Sequence, residues 1–217
     1  MDRSNFSWVG VQELVVLRSN FSWVGVQELV VSRQGMVLWV FGYGSLLWRA
    51  GFEYDDKLVG FVRGYKRVFH QGNTDHRGTP DYPGRTVTLE EDPDSVCWGI
   101  AFCVRGEEKK SIALSYLELR EKEYDIRAYV DFYTDLHSTH PSVSGVLVYL
   151  ASTDQKRNKY YLGRAPLKEM ACQIAKAVGP SGSNADYLFE LHKCLQKMGC
   201  KEEELDNLVM EVQKLLS

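Results

Sequence analysis

Short strand-like segments, separated by turn residues, run through most of this chain and limit the folds that it can adopt. They are rich in β-branched and aromatic residues and lie at residues 37–43, 57–69, 86–90, 97–104, 127–133 and 144–151. Segments with helical periodicity lie at residues 109–124 and 166–178 and, as a pair divided at Gly199, at residues 185–216. Because strands and helices do not alternate regularly, this order predicts a mixed α+β domain rather than a series of βαβ units.

A perfect repeat marks the start of the chain. Residues 3–16 (RSNFSWVGVQELVV) recur without a change as residues 18–31. Solenoid repeats diverge, run to about 20 to 50 residues and need about three or more copies to close a core, so this identity indicates a recent tandem duplication. No basic segment or cleavage site marks a signal peptide here. We therefore expect residues 1–35 to be a dispensable extension and residues 36–217 to form the working domain.

The composition fits a globular protein without a nucleic-acid or membrane partner. Apolar residues make up 44% of the 217 residues, enough for a hydrophobic core. The 26 Lys and Arg are balanced by 29 Asp and Glu, so no basic excess is available to follow a phosphate backbone. The most apolar stretch, residues 36–48, is interrupted by glycine and serine and falls short of the roughly 18 to 20 residues that span a bilayer. We expect a soluble protein.

The cysteines indicate the cellular compartment. The chain has five, an odd number, without the close paired spacing of a disulfide framework or a zinc site. This pattern is typical of free thiols in a reducing compartment. It predicts a cytoplasmic protein with no structural metal.

A loop with two glycines follows the first strand-like segment, in the sequence FGYGSL at residues 41–46. Glycines on either side of one aromatic residue let backbone amides approach a ligand closely and point toward one anion or oxyanion. The loop lacks the Gly-Lys-Ser/Thr of a phosphate-binding loop and the third glycine of the dinucleotide fingerprint. A structural hairpin or bulge is the commoner reason for such a pair, so the pattern alone leaves both interpretations open.

A carboxylate lies unexpectedly close to the apolar side of the helical segment 109–124. On a helical wheel at about 100° per residue, Glu118 falls on the solvated arc, whereas Glu121 falls between Leu117 and Leu114. Burial without a partner is costly for a carboxylate and raises its pKa toward the range of a general acid or base. A boundary residue paired with an Arg or Lys of a neighbouring strand is the commoner explanation for such a position.

Other polar residues give weaker signals. The turn at residues 73–78 (NTDHRG) offers Arg77 to a carboxylate, although its composition is also that of a solvated turn. His137 and His140 have no nearby cysteine, so a metal site there is not expected. No Gly-x-Ser-x-Gly, Ser-x-x-Lys or cysteine-protease signature is present, so hydrolysis through a protein nucleophile lacks a recognisable nucleophile.

Taken together, the segments quoted above resemble the ChaC-type γ-glutamylcyclotransferases, a family of glutathione-degrading enzymes. The similarity begins at Met36 and continues almost to the C-terminus. It includes VFGYGSL at residues 40–46, DHRG at 75–78, GR at 84–85, CWG at 97–99, RE at 120–121, YLG at 161–163, APL at 165–167 and GPSG at 179–182. Two departures are Arg164, where the family commonly has proline, and Glu123-Tyr124-Asp125 in place of a glycine-rich segment.

The resemblance implies a fold, a reaction and a set of site residues. The fold would be a mixed sheet or partly closed barrel with interleaved and C-terminal helices. The substrate's own α-amine would attack its γ-amide carbonyl, which converts glutathione to 5-oxoproline and cysteinylglycine without a metal or cofactor, and Glu121 would be the catalytic acid and base. The loop that would bind the γ-glutamyl group consists of Val40, Phe41, Gly42, Tyr43, Gly44 and Ser45.

The same interpretation names two further residues and leaves two alternatives open. Arg77 and Arg85 are the candidates for contact with a substrate carboxylate. A non-catalytic module that binds a γ-glutamyl ligand, and a hydrolase of γ-glutamyl amides, remain as alternatives on the same scaffold. The hydrolase would release glutamate instead of 5-oxoproline.

Overall fold

A closed five-stranded barrel forms the centre of the protein. The computed structural model describes residues 37–217, so the expected extension at residues 1–35 lies outside the described part of the chain. The barrel strands, taken in chain order as β1 to β5, are Val37–Gly42, Asp56–Asn73, Gly84–Arg105, Ile126–Tyr133 and Val143–Leu150. They are arranged as β1-β3-β2-β4-β5, with antiparallel neighbours except for β1 and β5, which pair in parallel at Val40 and Leu147. The predicted α+β class is confirmed, and the barrel closes.

Four helices complete the described part. Helix α1, Glu107–Arg120, connects β3 to β4, and the others, α2 to α4, are Leu167–Lys176, Asn184–Lys197 and Glu203–Leu216. A short strand pair, Val178–Gly179 (β6) and Gly182–Ser183 (β7), joins α2 to α3. The three C-terminal helices pack on one another and share a core with the inner residues of the barrel, such as Val87 and Cys97.

Successive side chains of β1 belong to two different hydrophobic cores. Phe41 belongs to the core inside the barrel, whereas Leu38 and Val40 belong to a second core that also contains Ala113 and Leu117 of α1. Successive side chains of a strand point to opposite faces, so a single strand serves both cores. This arrangement packs α1 against the barrel through its two buried positions.

Two element boundaries differ from the sequence prediction. The segments predicted as separate strands at 86–90 and 97–104 are parts of one long strand, β3, because pairing with β2 resumes after residues 92–95 bulge out opposite Gly64. The helix predicted at 109–124 ends at Arg120. Glu121 caps it, and the chain then turns through a hydrogen bond from Tyr124 N to Glu121 O of 2.9 Å.

Candidate active site

A cavity of about 410 Å³ opens where β1 ends. Its wall is assembled from the loop after β1, the turn after β2, the first residues of β3, the end of α1 and helix α3. The lining residues on which the following description depends are Phe41, Tyr43, Gly44, Ser45, Arg49, His76, Arg77, Arg120, Glu121, Glu123, Tyr124 and Tyr187. Val40, Gly42 and Arg85 are not among the residues that line the cavity.

The two glycines of the loop after β1 are required by close packing. A Cβ atom on Gly42 would lie 2.7 Å from Leu46 Cβ, and one on Gly44 would lie 3.0 Å from Tyr187 Oη. The chain passes from Gly44 directly into a 3₁₀ turn, Ser45–Leu47. Within residues 37–217, the backbone amides of Gly44 and Ser45 have no hydrogen-bond acceptor. The glycines therefore have a structural cause, and the same loop offers free donors beside the cavity.

Glu121 has a buried carboxyl group, and no donor within residues 37–217 forms a hydrogen bond to it. Its backbone amide donates to Leu117 O at 2.8 Å, which holds the residue at the end of α1, and its side chain is 14% exposed. Burial raises the pKa of Glu121 to about 7, against the opposing charge of Arg120. The expectation that this carboxylate lies at an apolar margin agrees with the geometry.

The helical wheel was less accurate for other residues of α1. The wheel also places Ile112 and Leu119 on the apolar arc, but they are 61% and 77% exposed. The buried residues of α1 are Ala113 and Leu117. The barrel contacts a narrower stripe of the helix than the apolar residues occupy, and Leu119 instead lines the mouth of the cavity.

A second buried carboxylate, Glu123, lies on the same side of the cavity. Asn73 Nδ2 donates to its Oε2, and the backbone amide and hydroxyl of Thr74 donate to its Oε1 at 3.0 and 2.7 Å. These bonds attach the turn after β2 to the segment that follows α1. The sequence prediction noted Glu123 only as a departure from the family and missed its burial, because the helix was predicted to continue through residue 124 but ends at Arg120.

Three tyrosines enclose the space around Glu121. Tyr43 donates to Tyr149 O at 2.7 Å, Tyr124 donates to Val87 O at 2.7 Å, and the hydroxyl of Tyr187 accepts from Val87 N at 3.3 Å. Burial, with a further contribution from the charge of Glu121, raises the pKa of all three phenols. They therefore remain neutral hydroxyl groups at physiological pH.

The two arginines proposed from the sequence lie in different places. Arg77 lines the cavity, donates to Ser183 O at 3.0 Å and lies 5.9 Å from the ring centroid of Tyr187. Arg85 points elsewhere. It donates from Nε to Gln173 Oε1 at 2.6 Å and from Nη1 to the carbonyl oxygens of Phe69 and Gly163, at 2.9 Å each. The structure brings Arg77 to the site and uses Arg85 to hold backbone segments together.

Of the loop residues implied by the resemblance, Phe41, Tyr43, Gly44 and Ser45 line the cavity. Val40 is fully buried in the core under α1, and Gly42 supports the turn by its close approach to Leu46. No site role was predicted from the sequence for Arg49 or Tyr187, although Tyr187 lies in a segment that resembles the family; they reach the cavity from a loop and from a distant helix. Only the closed fold brings them to the ends of β1 and α1.

Comparison with known proteins identifies relatives along the described barrel. The family model for ChaC-like proteins matches residues 38–215. Gamma-glutamylcyclotransferase 2-3 of Arabidopsis thaliana is 55% identical over 182 residues, which cover 84% of this chain and 92% of that protein. Glutathione-specific gamma-glutamylcyclotransferase 1 of Rattus norvegicus is 45% identical over 185 residues, which cover 83% of this chain and 80% of that protein.

A solved structure agrees with these relatives. The crystal structure of a glutathione-specific γ-glutamylcyclotransferase from yeast matches with a TM-score of 0.72 at 27% identity, over 84% of this chain and 100% of that chain. The similarity therefore extends from the sequence segments to the arrangement of the barrel and its helices.

Proposed function

This chain belongs to the ChaC-like family, and on that premise we propose that it is a γ-glutamylcyclotransferase that converts glutathione to 5-oxoproline and cysteinylglycine. One observation carries the assignment of the catalytic group. Two buried carboxylates face the cavity, and the oxygens of Glu123 accept three hydrogen bonds, whereas those of Glu121 accept none from residues 37–217. Glu121 is the carboxylate that is free to exchange a proton.

The reaction needs a base rather than a protein nucleophile. The α-amine nitrogen of the substrate attacks its own γ-carbonyl carbon, the new C–N bond closes 5-oxoproline, and the bond to the cysteine nitrogen breaks. An α-amine has a pKa of about 8, so it is partly protonated at neutral pH and a base must take a proton as the bond forms. Glu121 then returns that proton to the leaving nitrogen.

The raised pKa of Glu121 suits both steps. A carboxylate at its ordinary pKa of about 4.3 is a weak base toward an amine and a poor donor at neutral pH. With a pKa of about 7, Glu121 is present in both forms near neutrality. Because the attack is intramolecular, positioning of the substrate supplies much of the acceleration.

Anionic groups of the substrate have donors at two places in the cavity. The amides of Gly44 and Ser45 are available to the substrate carboxylate or to the oxyanion of the tetrahedral intermediate. Arg77 is our candidate for contact with the distal carboxylate of glutathione. Burial lowers the pKa of Arg77, and the charge of nearby Asp186 opposes this effect. Arg85 is not carried into this proposal.

Product analysis separates this function from its two alternatives. Purified protein is incubated with glutathione, and the products are identified by mass spectrometry. The proposal predicts 5-oxoproline and cysteinylglycine in equal amounts, a hydrolase would release glutamate, and a binding module would leave glutathione intact. N-acetyl-glutathione provides the control, because blocking the amine removes the nucleophile of a cyclotransferase but leaves the amide open to a hydrolase. Either glutamate from glutathione or any cleavage of the blocked substrate would contradict the proposal.

We also propose that the protein works in the cytoplasm, where its substrate would be reduced. All five cysteines are free thiols in the structure, which supports a reducing compartment. Within residues 37–217, no helix has both the length and the apolar character needed to cross a membrane. Fractionation of cells that express the tagged protein tests this location.

A further inference from the structure

Arg120 makes more polar contacts at the site than its place at a helix end requires. Its Nη1 donates to Arg49 O at 2.6 Å, Ala50 O at 3.2 Å and Tyr116 Oη at 3.0 Å, and its Nη2 donates to Ser45 Oγ at 2.7 Å. The side chain is 13% exposed. Three of these acceptors belong to the stretch that follows β1, so the guanidinium holds the end of α1 against the loop that would receive the substrate.

The contact between Arg120 and Glu121 has a different character. Arg120 Nε lies 3.3 Å from Glu121 Oε1, close enough for an ion pair, but the two atoms do not form a hydrogen bond. The hydrogen bonds of Arg120 therefore go to the loop, and its charge acts on Glu121. Such an arrangement favours the ionised carboxylate without occupying the oxygen that must accept a proton.

No other cation is positioned to do this for Glu121 within residues 37–217. The titratable neighbours from the loop after β1, from β5, from α3 and from the segment after α1 are neutral phenols, namely Tyr43, Tyr149, Tyr187 and Tyr124. The carboxylate of Glu123 is engaged by donors from the turn after β2. The remaining charged or titratable residues of the cavity wall are Arg49 on the loop after β1, His76 and Arg77 on the turn after β2, and Tyr116 of α1. Arg120 is the cation that acts on the carboxyl of Glu121.

We propose that Arg120 is a positioning residue that locks the substrate loop to the end of α1 and keeps the neighbouring carboxyl group able to ionise near neutral pH. This inference rests on the proposed function, since it assigns a task to a residue of the same site. Its two parts have different requirements. The loop contacts need the planar fork of arginine, whereas the effect on Glu121 needs only a positive charge.

Two substitutions separate the effect of the guanidinium geometry of Arg120 from the effect of its charge. Arg120→Gln removes the cation, so the pKa of Glu121 rises, and the acidic limb of kcat/KM against pH moves upward by about one pH unit or more. Arg120→Lys keeps the charge but loses most of the loop contacts, so the limb stays close to that of the wild type while KM rises roughly tenfold. Arg63→Lys is the matched control, because Arg63 also donates to two backbone carbonyls but on an exposed loop contact remote from the cavity.

A direct titration makes the result independent of catalysis. The Glu121 carboxyl resonance is identified by ¹³C NMR as the signal that Glu121→Gln lacks, and its pKa is measured in the wild type and in Arg120→Gln without substrate. An upward shift supports the proposal, and an unchanged pKa overturns it. If Arg120→Gln does not fold, an unchanged KM in Arg120→Lys overturns the loop function by itself. Wild-type protein that forms no 5-oxoproline would instead overturn the proposed function, and the NMR titration would still report on Arg120.

Discussion

At the scale of single residues, two glutamates separated by one position illustrate how local bonding determines what a buried carboxylate can do. Glu123 accepts hydrogen bonds from Asn73 and Thr74, which hold its side chain in place. Glu121 is buried without such donors, and its pKa rises to about 7 because burial penalises the charged form. Burying Glu121 therefore costs free energy of folding, and the same burial raises its pKa into the range that the reaction needs.

That cost predicts an unusual dependence of stability on pH. In the unfolded chain a glutamate has a pKa of about 4.3, so between that value and about 7 the folded protein binds the extra proton, and stability falls as pH rises through this window. Glu121→Gln removes the titration. We expect the variant to be more stable than the wild type by roughly 2 to 3 kcal/mol at pH 8 and nearly equal to it at pH 4.5.

Urea unfolding of the two proteins at both pH values measures this difference. Glu123→Gln serves as the comparison, because it replaces an oxygen that accepts hydrogen bonds from Asn73 and Thr74 with an amide donor and should lower stability at both pH values. A Glu121→Gln variant that is less stable than the wild type at pH 8 would contradict the account of why the pKa is raised.

Arg77 and Arg85 carry a prediction about binding. Arg77→Ala should raise KM for glutathione roughly tenfold with little change in the unfolding free energy, because it removes a charged donor from the cavity wall. Arg85→Lys should do the reverse, since its donors hold two backbone carbonyls and Gln173 together. Steady-state kinetics and urea unfolding of both variants test this. An unchanged KM in Arg77→Ala would exclude that residue as a carboxylate contact.

At the scale of elements, the site depends on how closely the loop after β1 approaches α3. A methyl group on Gly44 would lie 3.0 Å from both Tyr187 Oη and Val87 Cγ2. We predict that Gly44→Ala lowers the unfolding free energy by about 1 to 3 kcal/mol and reduces kcat/KM, because the loop or Tyr187 must move. Tyr187→Phe removes one of the two crowded atoms.

A double-mutant cycle measures that coupling. Gly44→Ala should cost less in the Tyr187→Phe background than in the wild type, by a margin larger than the error of the unfolding measurement. Additive effects of the two substitutions would show that the loop and α3 do not press on each other at this point.

The elements also show which parts of the structure the sequence could predict. Strand and helix locations follow from local periodicity, so most predicted segments coincide with β1 to β5 and α1 to α4. Periodicity did not reveal that residues 92–95 are a bulge within β3, because turn residues look alike whether or not the pairing resumes. Contacts such as Arg120 with Ser45 join residues far apart in sequence, and only the closed barrel brings them together. The same limit explains why Arg85 was proposed for a cavity that it does not line.

At the scale of the whole molecule, we predict that a shortened chain starting at Met36 retains the activity of the full chain. The barrel, its helices and the site residues described above lie within residues 37–217, and the family model matches residues 38–215. A short perfect duplication has had little time to acquire a packing role. The kcat/KM values of the two proteins should agree within about twofold, as expected for changes outside the core.

Kinetics and solubility of both chains provide the comparison. Loss of most activity, or aggregation of the shortened chain, would show that Phe6, Trp8, Phe21 and Trp23 contribute to the folded domain, and the extension would not be dispensable.

The central claim is that Glu121 transfers the proton in an intramolecular reaction. The amide of Glu121→Gln is nearly the same size as the carboxyl but cannot accept the proton of the amine, so the variant should fold and lose at least about 100-fold in kcat. Glu118→Gln is the matched control on the same helix, because Glu118 is 52% exposed and paired with Arg127 at the surface. The decisive measurement is the rate of 5-oxoproline formation from glutathione by wild type, Glu121→Gln and Glu118→Gln, each with a folded circular dichroism spectrum. We expect activity in the first and third and none above background in the second, and wild-type activity in a folded Glu121→Gln would contradict the account.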